Sequence, residues 1–595
     1  MFRGRRFIAV TIAAGAVAAA AVASVASGGS TAAGYNTTQA PMVTLLAGAP
    51  ASSSADAIIS VGDTMQAGYT FESIPDGVSV YPRGNGRADV FVNHETSTVP
   101  FPYNAPFGGA LPEANQNDYT NSEVSQLNFN QQSGGITSAS KAIATAQNFQ
   151  RFCSNFLASA AEGFNKPILF TNEEAQDWVN RSGTAWPGPA SIPPGTAGAE
   201  QAGVVVAHDV KNGKTKPIYG MGRHNHENSV AIPGFDEIVV LSGDDTFQTN
   251  PPASSQLYMY TAANADELWA DEGTLHAFVA DGTDNDYFDL QPGETISGDF
   301  VSVPENIAKG KDPIDGHELT RAVDFPSYPA PSGSPSVPPD GPQWILDQWG
   351  DKANTPTLPN DVFDFIRLED VAYDKRSGKS NVVYLADSGR ASAGPSDPLT
   401  KSTNGRIYKL VLDPNGTGDP TEAEISILVQ GDDVGTATDP ASINEIHQPD
   451  NVETTAAGNL LVTEDPSGNN QYNLPAGPGK TTARLWKVPL GAADPDAAKS
   501  PLLAVDQSLD ENANAALGKI DVDAASAGRL GSWESSGIVD ASAAFGAGAF
   551  FLTIQAHSYW VDKLAGPDLL NAPNGPDYFY KREGGQLILL NLPGI

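Results

Sequence analysis

The sequence holds a single cysteine, Cys153, among 595 residues. An exported chain with one thiol has no intramolecular disulfide, and a cysteine-rich zinc site is excluded. Stability must come from an apolar core, from bound ions, or from both. Basic side chains are also scarce, with 34 Lys and Arg against 70 Asp and Glu. That balance argues against nucleic acid, whose phosphates the surface would repel. Beyond the N-terminus no segment is apolar enough to cross a bilayer. There is no Gly-x-Ser-x-Gly elbow, so nucleophilic serine chemistry lacks its usual cue. No Walker loop or dinucleotide fingerprint stands out.

The one long apolar run lies at the start. A basic "MFRGRR" precedes "FIAVTIAAGAVAAAAVASV", and Ser24-Val25-Ala26 fits a small-residue cleavage site. Residues 1–26 are therefore expected to be an export signal, with an uncleaved anchor as the alternative. Arg5-Arg6 is compatible with a twin-arginine route. Residues 27–55 read as a flexible N-terminal segment and 56–595 as one domain. The expected location is secreted or cell-envelope associated, with no membrane contact after cleavage.

Gly, at 59 residues, and Pro, at 45, are plentiful. Between them lie short runs rich in Val, Ile, Leu and Phe, each ending in a polar or acidic tip. They include "ADVFVNHE", "KPILFTNEE", "DEIVVLSGDD", "SNVVYLADS", "GNLLVTED" and "GAFFLTIQAH". Each is strand-length and too short for a typical helix. A second strand type follows each one, and a third type precedes several. This internal repetition predicts an all-β, six-bladed β-propeller with long loop insertions and a few short helices. A pair of β-sandwiches is the alternative. An insertion is expected around 261–345, where "SYPAPSGSPSVPPDGP" reads as loop, and another long loop over 102–122.

The third strand type carries the chemistry. "ENSVAIP", "EDVAYD" and "DNVETT" each open with an acid, so Glu227, Glu369 and Asp450-Asn451 should converge on one mouth of the channel. Convergent carboxylates repel one another unless a cation holds them. Oxygen donors suit calcium, whereas a mixed set with histidine also suits iron, manganese or zinc. For any single acid, capping a turn is the simpler reading. Arg367 and Glu369 lie two apart and share one face of an extended chain, where an Arg can fork onto a phosphate.

Seven motifs in order make the family recognisable: "VNHE", "FTNEE", "GRHNHE", "SGDD", "RLEDVAYD", "QPDNVETT" and "WESSGIVDAS…FFLTIQAHS". Over roughly residues 85–560 the chain resembles the PhoX-type alkaline phosphatases, exported propellers that bind calcium and iron and hydrolyse phosphomonoesters. The resemblance implies that Arg367 contacts phosphate and that Glu369, Glu227, Asp450, Glu173 and Glu174 bind metal. Glu95, Asn451 and Glu464 complete the expected ligand set. His226 is a candidate second-layer donor or proton carrier; His224 is expected to be a loop residue. One departure stands out. Asn172 occupies the family's cysteine position before the paired glutamates, which puts iron in doubt while leaving calcium expected. Cys153, upstream in "QRFCSN", is not expected to substitute.

The expected function is that of a metal-dependent phosphomonoesterase acting as a monomer on small phosphate esters. Two alternatives stand beside it. A calcium-propeller hydrolase of lactonase or phytase type could use Glu369, Asp450 and Asn451. A non-catalytic propeller could hold calcium for structure alone.

Overall fold

The computed structural model describes residues 34–65, 68–95, 103–106, 121–181, 198–246, 255–330, 341–389, 404–431, 444–465, 482–506, 533–561 and 578–595. The expected export signal lies outside these residues, as does most of the loop expected over 102–122. Within them the chain is all-β with a few short helices, its small antiparallel sheets set in a propeller-like arrangement. No helix among the described residues is long and apolar enough to cross a membrane.

Six strands lead the sheets on the axial side. They are β1 (Pro75–Gly84), β2 (Phe152–Ala158), β3 (His226–Ile232), β4 (Leu368–Tyr373), β5 (Pro449–Thr454) and β6 (Glu534–Asp540). Each packs on the next in chain order, and β6 closes on β1. Behind β1 come Arg87–His94, Glu123–Asn130 and Gly135–Ile143. Behind β2 come Ile168–Glu173, Val205–Asp209 and Lys214–Ile218. The sheets led by β3 and β4 join through their outer strands, Thr295–Ser302 and Glu422–Gln430.

The N-terminal segment completes two of the late sheets. Val43–Leu45 pairs with Ser500–Val505 behind β5, and Ser54–Ser60 pairs with Tyr578–Asn591 behind β6. Strands from opposite ends of the sequence thus share hydrogen bonds, which ties the ring closed. The expected insertion supplies Thr274–Ala280 and Thr295–Ser302 to the third sheet. Its helix Pro342–Trp349 reaches the rim of the site, where Gln343 Nε2 donates to Thr246 Oγ1.

Apolar alternation explains why the sheets stack. One face of Leu460, Val462 and Trp486 packs on Tyr384, Ile407 and Val429 of the preceding sheet. The facing side carries Leu461, Leu485 and Leu503 onto Leu552 and Ile588 of the next. Period-2 alternation sends successive residues to opposite faces, so each middle sheet serves two interfaces. Each fully buried side chain of this size contributes about 1.5–3 kcal/mol.

Candidate metal centre

Every inner strand carries the same irregularity. Three steps along it match two steps on its partner between Pro75 and Val78, Phe152 and Asn155, and His226 and Ser229. The same holds between Leu368 and Val371, Pro449 and Val452, and Ser535 and Ile538. A bulge of this kind breaks the alternation, so two consecutive side chains face the axis. The paired positions are Asp76-Gly77, Cys153-Ser154, Glu227-Asn228, Glu369-Asp370, Asp450-Asn451 and Ser536-Gly537. Both glycines are required by close packing: a Cβ on Gly77 would overlap the backbone of Ser154 and Asn155, and one on Gly537 the backbone of Asp76 and Gly77.

The first members of these pairs form a carboxylate-rich ring. Ligand oxygens of Glu227, Glu369 and Asp450 lie within 4.8 Å of one another. Cys153 Sγ meets the same limit with Glu174 and Glu227, and also with Asp76 and Glu95. Short hydrogen bonds aim these groups. Ser154 Oγ donates to Glu227 Oε1 at 2.7 Å, and Ser388 Oγ to Glu369 Oε1 at 2.6 Å. Cys153 Sγ donates to Asp76 Oδ2 at 2.6 Å, while Ser536 Oγ donates to Asp76 Oδ1. Gln555 Nε2 donates to Glu95 Oε1 at 3.0 Å.

Arg367 stands at the edge of the ring. Its Nε and Nη2 donate to the two oxygens of Asp245 at 2.8 and 2.7 Å, and Nη2 lies 2.9 Å from Glu369 Oε1. Asp465 is 3.7 Å from Nη1. Arg367, together with Arg151 acting on Glu174, therefore faces an excess of acid. Burial, followed by the repulsion of their neighbours, pushes the carboxyls of Glu227 and Glu174 well above the usual range. Asp450 responds in the same way, and Glu369 does so although Arg367 opposes the shift. Asp76 is raised to about 6, first by burial. Burial and the same carboxylates push the Cys153 thiol well up.

Among the described residues, oxygens of this patch that are buried with no hydrogen-bond partner include Glu227 Oε2 and Asn451 Oδ1. A bound cation would complete such a set. It would supply the missing partner, lower the carboxyl and thiol pKa values and cancel the repulsion. The residues present fit a metal.

Several expected residues are held elsewhere. Glu173 faces away from Glu174, into the fork of Arg181, whose Nη1 and Nη2 each donate at 2.6 Å. Glu464 accepts from the backbone N of His447 and Arg484 and from Trp486 Nε1, each at 2.8 Å. Alternation along the strand turns each of these oxygens away from the axis. His226 is likewise not brought to the carboxylates. Its Nδ1 meets Ser242 Oγ at 2.8 Å, its Nε2 donates to the Gly222 carbonyl at 3.1 Å, and burial depresses it to about 3. His224 lies in the loop ahead of β3 and is buried there, against His226 and Tyr258.

Cys153 is not expected to substitute for the cysteine that Asn172 replaces, and β2 nonetheless brings its sulfur into the ring. Asn172, on the adjoining strand, instead donates to the Ser154 carbonyl at 3.0 Å. Sequence reasoning also passed over Asp76, Ser154, Ser388, Ser536 and the Arg367 partner Asp245. The signal for the axial residues was the bulge pair itself, a small or polar residue after the ring position.

Fold and site together define a propeller-like β protein with a buried polycarboxylate centre on its axis. The sequence matches the family described as alkaline phosphatase PhoX over residues 196–500, and the chain belongs to that family. No curated protein matches it. Among solved structures it is similar to a protein of unknown function from Dyadobacter fermentans, at 9% identity and TM-score 0.36, covering 90% of this chain and 98% of that one. An ancestral GH74 enzyme is similar at 11% identity and TM-score 0.19, covering 88% and 72%.

Proposed function

We propose that this protein is a secreted, metal-dependent phosphomonoesterase built on a six-bladed propeller, with its cations held by the bulged inner strands. The carrying observation is the buried ring of Glu227, Glu369 and Asp450 with Arg367 beside it. Six inner strands closing on one another support the blade count. The oxygen donors of Glu227, Glu369, Asp450 and Asn451 suit calcium. Cys153 with Asp76, Glu95 and Glu174 adds a soft sulfur donor, which reopens a place for iron.

When bound, such cations supply Lewis acidity toward a phosphoryl oxygen and an activated water. The chain's own part is binding and orientation. Asp245 holds the Arg367 guanidinium in one plane through its Nε and Nη2, and from there Arg367 would take a non-bridging phosphate oxygen and the charge that grows on it. Ser154 and Ser388 keep the carboxylates from turning away. The test is hydrolysis of p-nitrophenyl phosphate by the mature chain. Arg367→Ala should lower kcat/KM by about 10²–10³-fold, and a chelator should abolish turnover. A calcium- and iron-replete protein inert toward phosphomonoesters, but active on lactones or phytate, would move it to another hydrolase class. One inert toward all of them would be a binding propeller.

A further inference from the structure

The second members of the bulge pairs form a layer of their own beneath the carboxylate ring. Gly77, Ser154, Asn228, Asp370, Asn451 and Gly537 all line a cavity of about 160 Å³ in the channel, and no first-position residue does. This layer separates the ring from the cavity behind it. Asp370 is its one carboxylate.

We infer that Asp370 is a positioning residue, which orients the Asn451 amide and the Ser154 hydroxyl so that their oxygen and proton serve the cation site above. The inference rests on the metal reading just given. Asp370 accepts from Asn228 Nδ2 at 2.5 Å and from Asn451 Nδ2 at 3.4 Å. It also accepts from the backbone N of Val371 at 2.6 Å and of Val452 at 2.8 Å. A carboxylate surrounded by donors fixes which end of each amide faces it. The Asn451 nitrogen, turned down to Asp370, also donates to Ser154 Oγ at 2.6 Å. Ser154 Oγ, already accepting, gives its own proton to Glu227 Oε1 at 2.7 Å. Asn451 Oδ1 is left buried and without a partner beside Asp450. Turned over, Asn451 would offer a cation two N–H groups in place of an oxygen.

Calcium binding to the full mature chain, measured by titration calorimetry, tests this. Asp370→Asn keeps the shape but can donate as well as accept, so the amides are free to turn. It should weaken calcium binding by about 10–100-fold while the melting temperature of the chelated protein stays near wild type. Asn451→Ala should weaken binding similarly, and the double variant no further than Asn451→Ala alone. Losses that multiply in the double variant would overturn the inference. So would calcium binding unchanged in Asp370→Asn, or lower chelated stability as the only effect. A wild-type chain that binds no calcium would overturn the metal reading as well, which separates the two failures.

Discussion

Glu173, on the strand behind β2, and Glu227, on β3, are both buried glutamates in adjacent sheets, and they differ in what faces them. Glu173 sits in the fork of Arg181 and accepts a backbone N–H from Gln150 at 2.8 Å. Glu227 faces Glu369, Asp450, Glu174 and the Cys153 sulfur. Glu464 repeats the first pattern, with Arg484 and Trp486. The chain therefore sets a guanidinium against each of these two buried carboxylates, whereas on the axis the acids outnumber the cationic groups beside them. An acid paired with a guanidinium serves the fold; a cluster short of counter-charge suits a cation.

Substitution breaks this comparison most strongly. Glu173→Gln takes from the buried Arg181 guanidinium one of its two carboxylates, with Glu200 remaining at 3.2 Å, and should destabilise the fold by about 1–3 kcal/mol. Glu227→Gln should do the reverse in chelated protein near neutral pH, raising stability by on the order of 1 kcal/mol, because a carboxyl that ionises less readily in the folded than in the unfolded chain is removed. It should also abolish phosphatase activity of the metal-loaded form. Urea unfolding with and without chelator measures both. Equal destabilisation by the two changes would erase the distinction.

The strand pattern was plain in the sequence because short apolar runs with acidic tips have few other solutions. Convergence of Glu227, Glu369 and Asp450 was legible too, since three similar segments open with an acid. What alternation hid was the bulge. Period-2 reasoning allows Glu369 or Asp370 toward the axis, and the extra residue brings both. It also hid Asp76 and Ser536, whose neighbours are glycines rather than amides, and Cys153, whose segment "FCSN" carries no acid. Glu173 was expected at the metal from the resemblance's paired glutamates and Glu464 from its acidic strand tip, and neither signal says which face a residue takes.

Acidity sharpens the comparison at a smaller scale. The axial carboxyls hold their protons to higher pH in the folded, metal-free chain than in the unfolded one, with Asp76 at about 6 and Glu227, Glu369 and Asp450 well above the usual carboxylate range. The folded state thus binds more protons than the unfolded state from near pH 4 upward, so its stability falls as pH rises. Chelated protein should melt lower at pH 8 than at pH 5, by a few degrees. Calcium should restore more stability at pH 8, because binding then displaces fewer protons. A chelated protein equally stable at both values would mean that the ring is not repelling itself.

The smallest effect on the fold is expected at Cys153, and it discriminates most finely between donors. Ser in its place can make the same hydrogen bond to Asp76 Oδ2 that the thiol makes at 2.6 Å, so stability should change by less than about 1 kcal/mol. What changes is softness. A thiol whose proton is held by burial and surrounding acids loses it readily to a transition ion and hardly at all to calcium. Elemental analysis of the Cys153→Ser protein, produced with iron and calcium both present, should therefore find calcium retained and iron lost. Iron retained at the wild-type level would show that the sulfur is a packing group, and that the oxygens of the ring hold every cation the site takes.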